Sequence, residues 1–342
     1  CISRLSLKFK AMVQYLPALL YMGVAGGLLL FNKAALSSFD FPAPTFVVCL
    51  HNAIMFVQLE FIHQKVLCQQ VFCFLLCSFL SGGGYLSIKR PTVANLRTTA
   101  PLAISFVAYL VTGMIALQKV NVPMYTSLRR TTVMFVLVLD FILEKKHESK
   151  TVVLAVALQV LGGFIAGFND LVGGSAEGIF WIFVYNSCTA LYLIFISRLR
   201  RSTEFSSFDL LYFNSVICSP CLVLILFLTP ELSALEQFDH WSEPMFFFSF
   251  FSSVVLAFFL NITIFWNTSA NSPLTQQVCG QLKDVFSVLI SLMIFNDYSH
   301  SILNNTGVVV GFLGSFYYAY LKVAGNKDAV GETETKNKLS NP

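Results

Sequence analysis

The sequence predicts an all-α polytopic membrane protein with ten transmembrane helices, arranged as two inverted five-helix repeats. Three observations predict it: an apolar composition, a one-sided distribution of basic residues, and an internal match at an offset of 150. Of 342 residues, 56% are hydrophobic and 12% charged, and Phe alone supplies 35. Soluble domains carry roughly 45–50% apolar and about 25% charged residues. A folded interior has finite volume, so this much apolar surface requires lipid as a second apolar phase. Soluble enzymes, nucleic-acid binders and disulfide scaffolds are excluded at this step. The net charge is only +4, and most of the nine Cys lie in apolar runs, where Cys behaves as a small hydrophobe. Cys218-Ser-Pro-Cys221 has redox spacing but lacks the βαβ setting that reading needs. Neither a catalytic residue, a metal site nor a cofactor is expected, because His51, His63, His147, His240 and His300 are scattered. Cys1 stands where Met would begin a complete chain, so an incomplete N-terminus is expected.

A transmembrane helix needs about 20 apolar residues. Stretches free of Asp, Glu, Lys and Arg run 11–32, 41–59, 66–88, 98–118, 151–169, 178–197, 210–230, 244–282 and 301–321. The polar Asn267–Pro273 divides the longest into helices at 245–266 and 272–295, and 122–143 is a further span interrupted by Arg129 and Arg130. Segment 66–88 is the doubtful one, since Ser81-Gly-Gly-Gly84 and two Gln weaken it as a helix. If it does not cross and the N-terminus is cytosolic, 17 Lys and Arg fall on the cytosolic side and only Lys119 in a lumenal loop. The lumenal loops are then acidic, with Asp170, Glu177, Glu231, Glu236, Asp239 and Glu243. This is the bias that the positive-inside rule describes. The expected organisation is a cytosolic N-terminus (1–11), a first repeat (12–169) with an atypical cytosolic insertion at 65–98, a second repeat (177–322), and a disordered cytosolic tail (323–342).

The repeat rests on Asn121-Val-Pro-Met-Tyr-Thr-Ser-Leu-Arg-Arg130, which aligns with Asn271-Ser-Pro-Leu-Thr-Gln-Gln-Val-Cys-Gly280. The span after each is Gly-rich, with Gly162, Gly163 and Gly167 in one and Gly307, Gly311 and Gly314 in the other. Five spans per half is odd, so the halves enter the membrane in opposite directions. Secondary transporters use such inverted repeats and bind substrate between the halves near the midplane.

A charge inside the bilayer costs about 2.5–3.5 kcal/mol on insertion scales, so each one needs a reason. Arg129 and Arg130 in span four, with Lys283 in span nine, suit a phosphorylated anion at the repeat interface. Lys33, beside Asn32 at the end of span one, either joins them or snorkels to the interface. Gln276, Gln277 and Gln281 lead into Lys283, and amides on one membrane helix are costly unless they line a wet cavity. Span seven opens with Tyr212-Phe-Asn214-Ser215, an aromatic ring and an amide that suit stacking on a nucleobase and reading its edge.

These motifs, with Gly280-Gln-Leu-Lys-Asp284, resemble the nucleotide-sugar transporters of the drug/metabolite transporter superfamily. The nearest branch is the one with UDP-glucuronic acid/UDP-N-acetylgalactosamine and plant UDP-sugar transporters. The resemblance covers nearly all of 12–322 and is poor at about 65–98, where the family has a shorter polar loop. It implies that the family's FYNN motif, which contacts the base, lies at Tyr212, Asn214 and Ser215. It also implies that the GALNK motif, part of the substrate site, lies at Gly280, Gln281 and Lys283. Ser215 replaces the second Asn and Lys283 comes one residue early, departures that fit a UDP-sugar better than GDP-mannose.

The implied activity is antiport by alternating access: a cytosolic UDP-sugar enters the Golgi or ER lumen in exchange for the nucleoside monophosphate. The implied partners are nucleotide sugar, nucleoside monophosphate and membrane lipid, with no nucleic acid, and a homodimer is compatible. A GDP-sugar transporter and a plastid-type sugar-phosphate/phosphate translocator are the alternatives. The latter group carries a Lys-Arg pair in span nine, where this chain has Lys283-Asp284.

Overall fold

A computed structural model describes residues 16–25, 62–82, 88–120, 122–168, 175–228, 244–283 and 302–340. All regular structure among them is helical: α1 (Leu16–Ala25), α2 (Ile62–Gly82), α3 (Val93–Lys119), α4 (Val122–Arg129), α5 (Thr132–Glu144), α6 (Lys150–Ala166), α7 (Ala176–Ser202), α8 (Ser207–Leu228), α9 (Pro244–Ala270), α10 (273–283) and α11 (Ile302–Ser340). Hydroxyl caps start several of these helices. Thr92 accepts from the Asn95 backbone N–H at α3, Ser149 from Val152 at α6, and Ser175 from Gly178 at α7.

Four helices among the described residues are long and apolar enough to cross a bilayer: α3, α7, Ser207–Ile225 of α8 and Thr306–Ala324 of α11. At 1.5 Å per residue, the 27-residue α3 and α7 reach about 40 Å. Large apolar side chains such as Phe180, Leu224, Phe227, Leu313 and Phe316 stay on the outside, as lipid-facing positions should. The span expected at 41–59 lies outside the described residues.

The bundle is built from a few close helix pairs. α3 runs along α7 and α8, α2 lies against α8 and α9, and α6 pairs with α11. The last pair joins the two Gly-rich spans that the sequence match relates. A Cβ on Gly314 would sit 2.7 Å from the Ala155 carbonyl oxygen, and Cβ atoms on Gly162 and Gly307 would overlap the facing backbone at Gly311 and Ala166. Backbones approach this closely in membranes only where small residues line the contact. Ion pairs mark the two ends of α7. Lys119 of α3 meets Glu177 at 3.1 Å, while Arg201 meets Glu144 of α5 at 3.0 Å.

Three features of the helices bear on the sequence expectations. Span 122–143 is not one helix but two, α4 and α5, separated at Arg130 and Thr131. Residues 62–82, which overlap the segment read as a re-entrant, surface or inserted stretch, form a continuous helix against α8 and α9. The glycines of that segment fall at and beyond the helix end, Gln70 bonds to Ser215, and small Cys73 and Cys77 are fully buried. Finally, α11 runs from Ile302 to Ser340. The sequence there sets Glu332 and Glu334 four residues before Lys336 and Lys338, the charge order that supports a helix.

Candidate substrate site

The break between α4 and α5 is the first component. Over it the backbone tightens to three-residue bonds, from Arg130 N to Ser127 O and from Thr131 N to Leu128 O. Each carbonyl released by the break finds a side-chain donor. Asn186 of α7, fully buried, donates from Nδ2 to Leu128 O (3.1 Å) and to Thr131 Oγ1 (3.0 Å). Thr132 Oγ1 lies 2.6 Å from Arg129 O and 2.9 Å from Asn186 Oδ1. Gln281 of α10 donates from Nε2 to Arg130 O at 2.8 Å, and its Oε1 accepts from Ser315 at 3.4 Å. The helix α10, which carries most of the second aligned segment, therefore meets the first at this break.

That arrangement does two things electrostatically. It holds Arg129, exposed, and Arg130, half-buried, at one point of the bundle. It also starts the half-helix α5 there, so the positive end of its dipole adds to the two guanidinium groups. Three tyrosines cluster on α3, α4 and α7, where Tyr109 and Tyr125 both pack on Tyr185 with ring centroids 6.2 and 5.6 Å away.

The second component lies on α8. Asn214 and Ser215 are fully buried. Asn214 Oδ1 accepts from the Cys218 thiol at 3.5 Å, while its Nδ2 has no protein partner among the described residues. The Ser215 hydroxyl lies 2.7 Å from Gln70 Oε1 and 2.9 Å from Leu211 O. α3 adjoins both components, for its Ala103 carbonyl accepts from the Cys218 thiol and its Gly113 faces Tyr185 and Tyr125. Tyr212 is half-buried, and Phe74 of α2 stacks on it at 5.6 Å with an interplanar angle of 12°. One face of the ring expected to stack on a base thus carries a phenyl ring.

The remaining expected residues lie on α10 or outside the described residues. A Cβ on Gly280 would come 3.3 Å from the Tyr21 hydroxyl of α1, so these two helices adjoin. Gln276 is buried and accepts from Asn267 at 2.5 Å, a structural bond, while Gln277 and Lys283 are half-buried. Asn32 and Lys33 lie outside the described residues. Sequence reasoning missed Asn186, Gln70 and the tyrosine cluster. A lone amide in the apolar run 178–197 was a usable signal for the first.

Cations at a helix break, an aromatic wall and a buried amide with an open N–H group together suit a solute with an anionic end and a planar, hydrogen-bonding end. Comparison with known proteins decides the family, for the model of the Triose-phosphate Transporter family matches residues 18–319. The chain belongs to the triose-phosphate transporter family. That family sits in the drug/metabolite transporter superfamily, and its members are transporters rather than enzymes by name. A UDP-N-acetylglucosamine transporter of Arabidopsis thaliana is 37% identical over 311 residues, 90% of this chain and 88% of that protein. A putative UDP-sugar transporter of Dictyostelium discoideum is 29% identical over 239 residues, 69% of this chain and 60% of that protein. A solved crystal structure superimposes with a TM-score of 0.59 over 91% of this chain and 97% of its own, at 11% identity, and this likeness speaks for the fold alone. The chain is a multi-pass membrane protein of the triose-phosphate transporter family.

Proposed function

We propose that this family member is a nucleotide-sugar antiporter that brings a cytosolic UDP-sugar into the Golgi or ER lumen in exchange for the nucleoside monophosphate. Alternating access would arise from rocking of two inverted five-helix repeats about the site between them. The observation that carries the reading is the buried Asn214 amide, whose Nδ2 is unpartnered among the described residues, in the same bundle as Arg129 and Arg130 at the helix break. A base and a phosphate would occupy these two places. The 37% identity to a UDP-N-acetylglucosamine transporter supports the same substrate class. A sugar phosphate without a base would satisfy the cations but leave the buried amide unpartnered, which disfavours a plastid-type translocator. A GDP-sugar would ask the site for more amide groups than Asn214 and Ser215 offer.

The test uses purified protein in liposomes loaded with UMP or GMP and offered labelled nucleotide sugars. UMP-loaded vesicles should take up a UDP-sugar, and GMP-loaded ones should not. Donor and counter-substrate share the base but not the sugar. Asn214→Ala should therefore weaken UMP and UDP-sugar by similar factors, about 1–3 kcal/mol for an unmade buried hydrogen bond. A variant that loses the UDP-sugar but keeps UMP would overturn the assignment of Asn214 to the base.

The proposed topology has ten spans with both termini in the cytosol, on the strength of 17 basic residues on one side against Lys119 on the other. Tags at the two ends should show equal accessibility in sealed vesicles. If α2 and 41–59 both cross, the count becomes odd. Termini on opposite faces would then replace the ten-span arrangement.

A further inference from the structure

We infer that Asn186 of α7 is a positioning residue for the substrate's phosphate: it holds the α4–α5 break in the shape that places Arg129 and Arg130, without touching the substrate itself. The inference rests on the nucleotide-sugar reading of the site and deepens it. Asn186 is fully buried, and its amide is engaged within the protein at both ends. Nδ2 donates its two N–H bonds to Leu128 O at 3.1 Å and to Thr131 Oγ1 at 3.0 Å. Oδ1 faces the Thr132 hydroxyl at 2.9 Å. The opposite orientation of the amide would set Oδ1 against the Leu128 carbonyl oxygen, two acceptors with no proton between them. Asn186 thus has no N–H group left for a ligand, in contrast to Asn214.

What the amide supports is a turn wound more tightly than an α-helix. Arg130, Thr131 and Met134 each bond to the carbonyl three residues back instead of four. Such winding turns the chain about 20° further per residue, so Arg129 and Arg130 stand at a different angle from the one a straight helix over 122–143 would give them. A straight helix would need no outside donors, because each carbonyl meets an N–H four residues on. The tight turn draws them from elsewhere: Leu128 O takes Asn186, Arg129 O takes the Thr132 hydroxyl at 2.6 Å, and Arg130 O takes Gln281 at 2.8 Å. On another side α6 backs the turn, where a Cβ on Gly163 would lie 3.0 Å from Ser127 O and 3.3 Å from Arg130 Cβ. Arg129 stays exposed, three residues after exposed Thr126. On α7, Asn186 stands midway between fully buried Ile182 and Ala190, four residues to either side. An amide on that apolar face is costly unless the facing helix has released acceptors to receive it. Asn186 and the break therefore require each other, and what the break places is the pair of guanidinium groups that would meet the phosphate.

The test measures binding of UMP and of uridine, which lacks the phosphate, to the purified full chain. Asn186→Leu keeps the branched shape without the amide and lets the break relax toward a straight helix. It should lose about tenfold in UMP affinity and change uridine affinity less than about twofold, since only the phosphate meets the guanidinium groups. In a background that carries Arg129→Gln and Arg130→Gln, the same change should alter UMP affinity less than about twofold, because the groups it positions are gone. Equal losses of UMP and uridine, or an undiminished loss in that background, show that Asn186 supports the bundle in general and overturn the inference. Unchanged UMP affinity in Asn186→Leu overturns it as well, while the exchanger reading stands. Should Asn186→Leu not fold, Thr132→Val replaces it, removing the hydroxyl shared by Arg129 O and Asn186 Oδ1. That variant should weaken UMP severalfold and leave uridine unchanged, and unaltered UMP binding in it overturns the inference. A wild-type protein that binds neither UMP nor a UDP-sugar overturns both readings.

Discussion

Gly162→Leu is expected to abolish stable folding, with no monodisperse protein recovered in detergent, whereas Gly23→Ala leaves recovery and thermal stability unchanged. The atoms facing Gly162 decide this. Its Cβ would come 2.5 Å from Gly311 Cα and 2.6 Å from Gly307 O, inside any allowed contact, and both are backbone atoms of α11. No side-chain rotation can relieve such an overlap, so α6 and α11 must separate along their length. Overpacking a core typically costs about 1–3 kcal/mol when side chains can adjust. Here none can, and a branched side chain adds three more carbons. Gly23 has nothing within 4 Å of its Cβ position and serves as the control. The measurement is a melting curve by size-exclusion in detergent. A Gly162→Leu protein as stable as wild type would show that α6 and α11 do not meet as described. The same pair is the pair of spans that the sequence repeat relates, so the result also bears on the inverted arrangement. Helices equivalent under a pseudo-twofold axis can meet across it, and glycine on both sides lets them do so.

How much of this was legible in the sequence follows from where the physical cause lies. α3 and α7 were readable because their apolar runs, 98–118 and 178–197, are bounded by charges, and burial in lipid is a property of the run itself. The break at Arg130–Thr131 was not. Nothing in Leu-Arg-Arg-Thr-Thr stops a helix, and the donors that receive the released carbonyls come from Asn186 and Gln281, far along the chain. The same holds for α2. Gln70 looked like a defect in a weak span, and the partner of its buried oxygen, Ser215, lies 145 residues away. Arg129, Arg130 and Gln281 were chosen for the cost of polarity in lipid, and the structure gathers them at one point. Tyr212 was chosen for its ring beside an amide and then for its motif, and Phe74, a residue of the poorly matching segment, stacks on that ring.

Lys283→Ala is expected to abolish exchange while the protein still folds and reaches its membrane. Lys283 lies on α10 three residues beyond Gly280 and four beyond Cys279, so it shares their helix face. That face adjoins α1, where Cys279 clusters with Ala18, Tyr21 and Ala25. Gln281, which holds the α4–α5 break, points to the other side of α10. α10 thus presents a cation toward α1 and an amide toward Arg130, and a diphosphate bound beside it would meet charge from two directions. In a setting that excludes water, removing one member of a charged hydrogen-bonded pair costs about 3–5 kcal/mol, because the partner's charge is left uncompensated. Affinity should fall at least about 100-fold, since each 1.4 kcal/mol is a factor of about ten. The loss should be confined to ligands that carry phosphate. Uridine, which keeps the base and ribose, should bind Lys283→Ala as it binds the wild-type protein, while UMP and the UDP-sugar should lose their affinity. Lys283→Arg, which keeps the charge but changes its geometry, should retain part of the UMP binding. If Lys283→Ala exchanges UDP-sugar for UMP with wild-type kinetics, Lys283 is only the partner of a protein acid. If uridine and UMP weaken together, its role is to shape the helix rather than to hold phosphate.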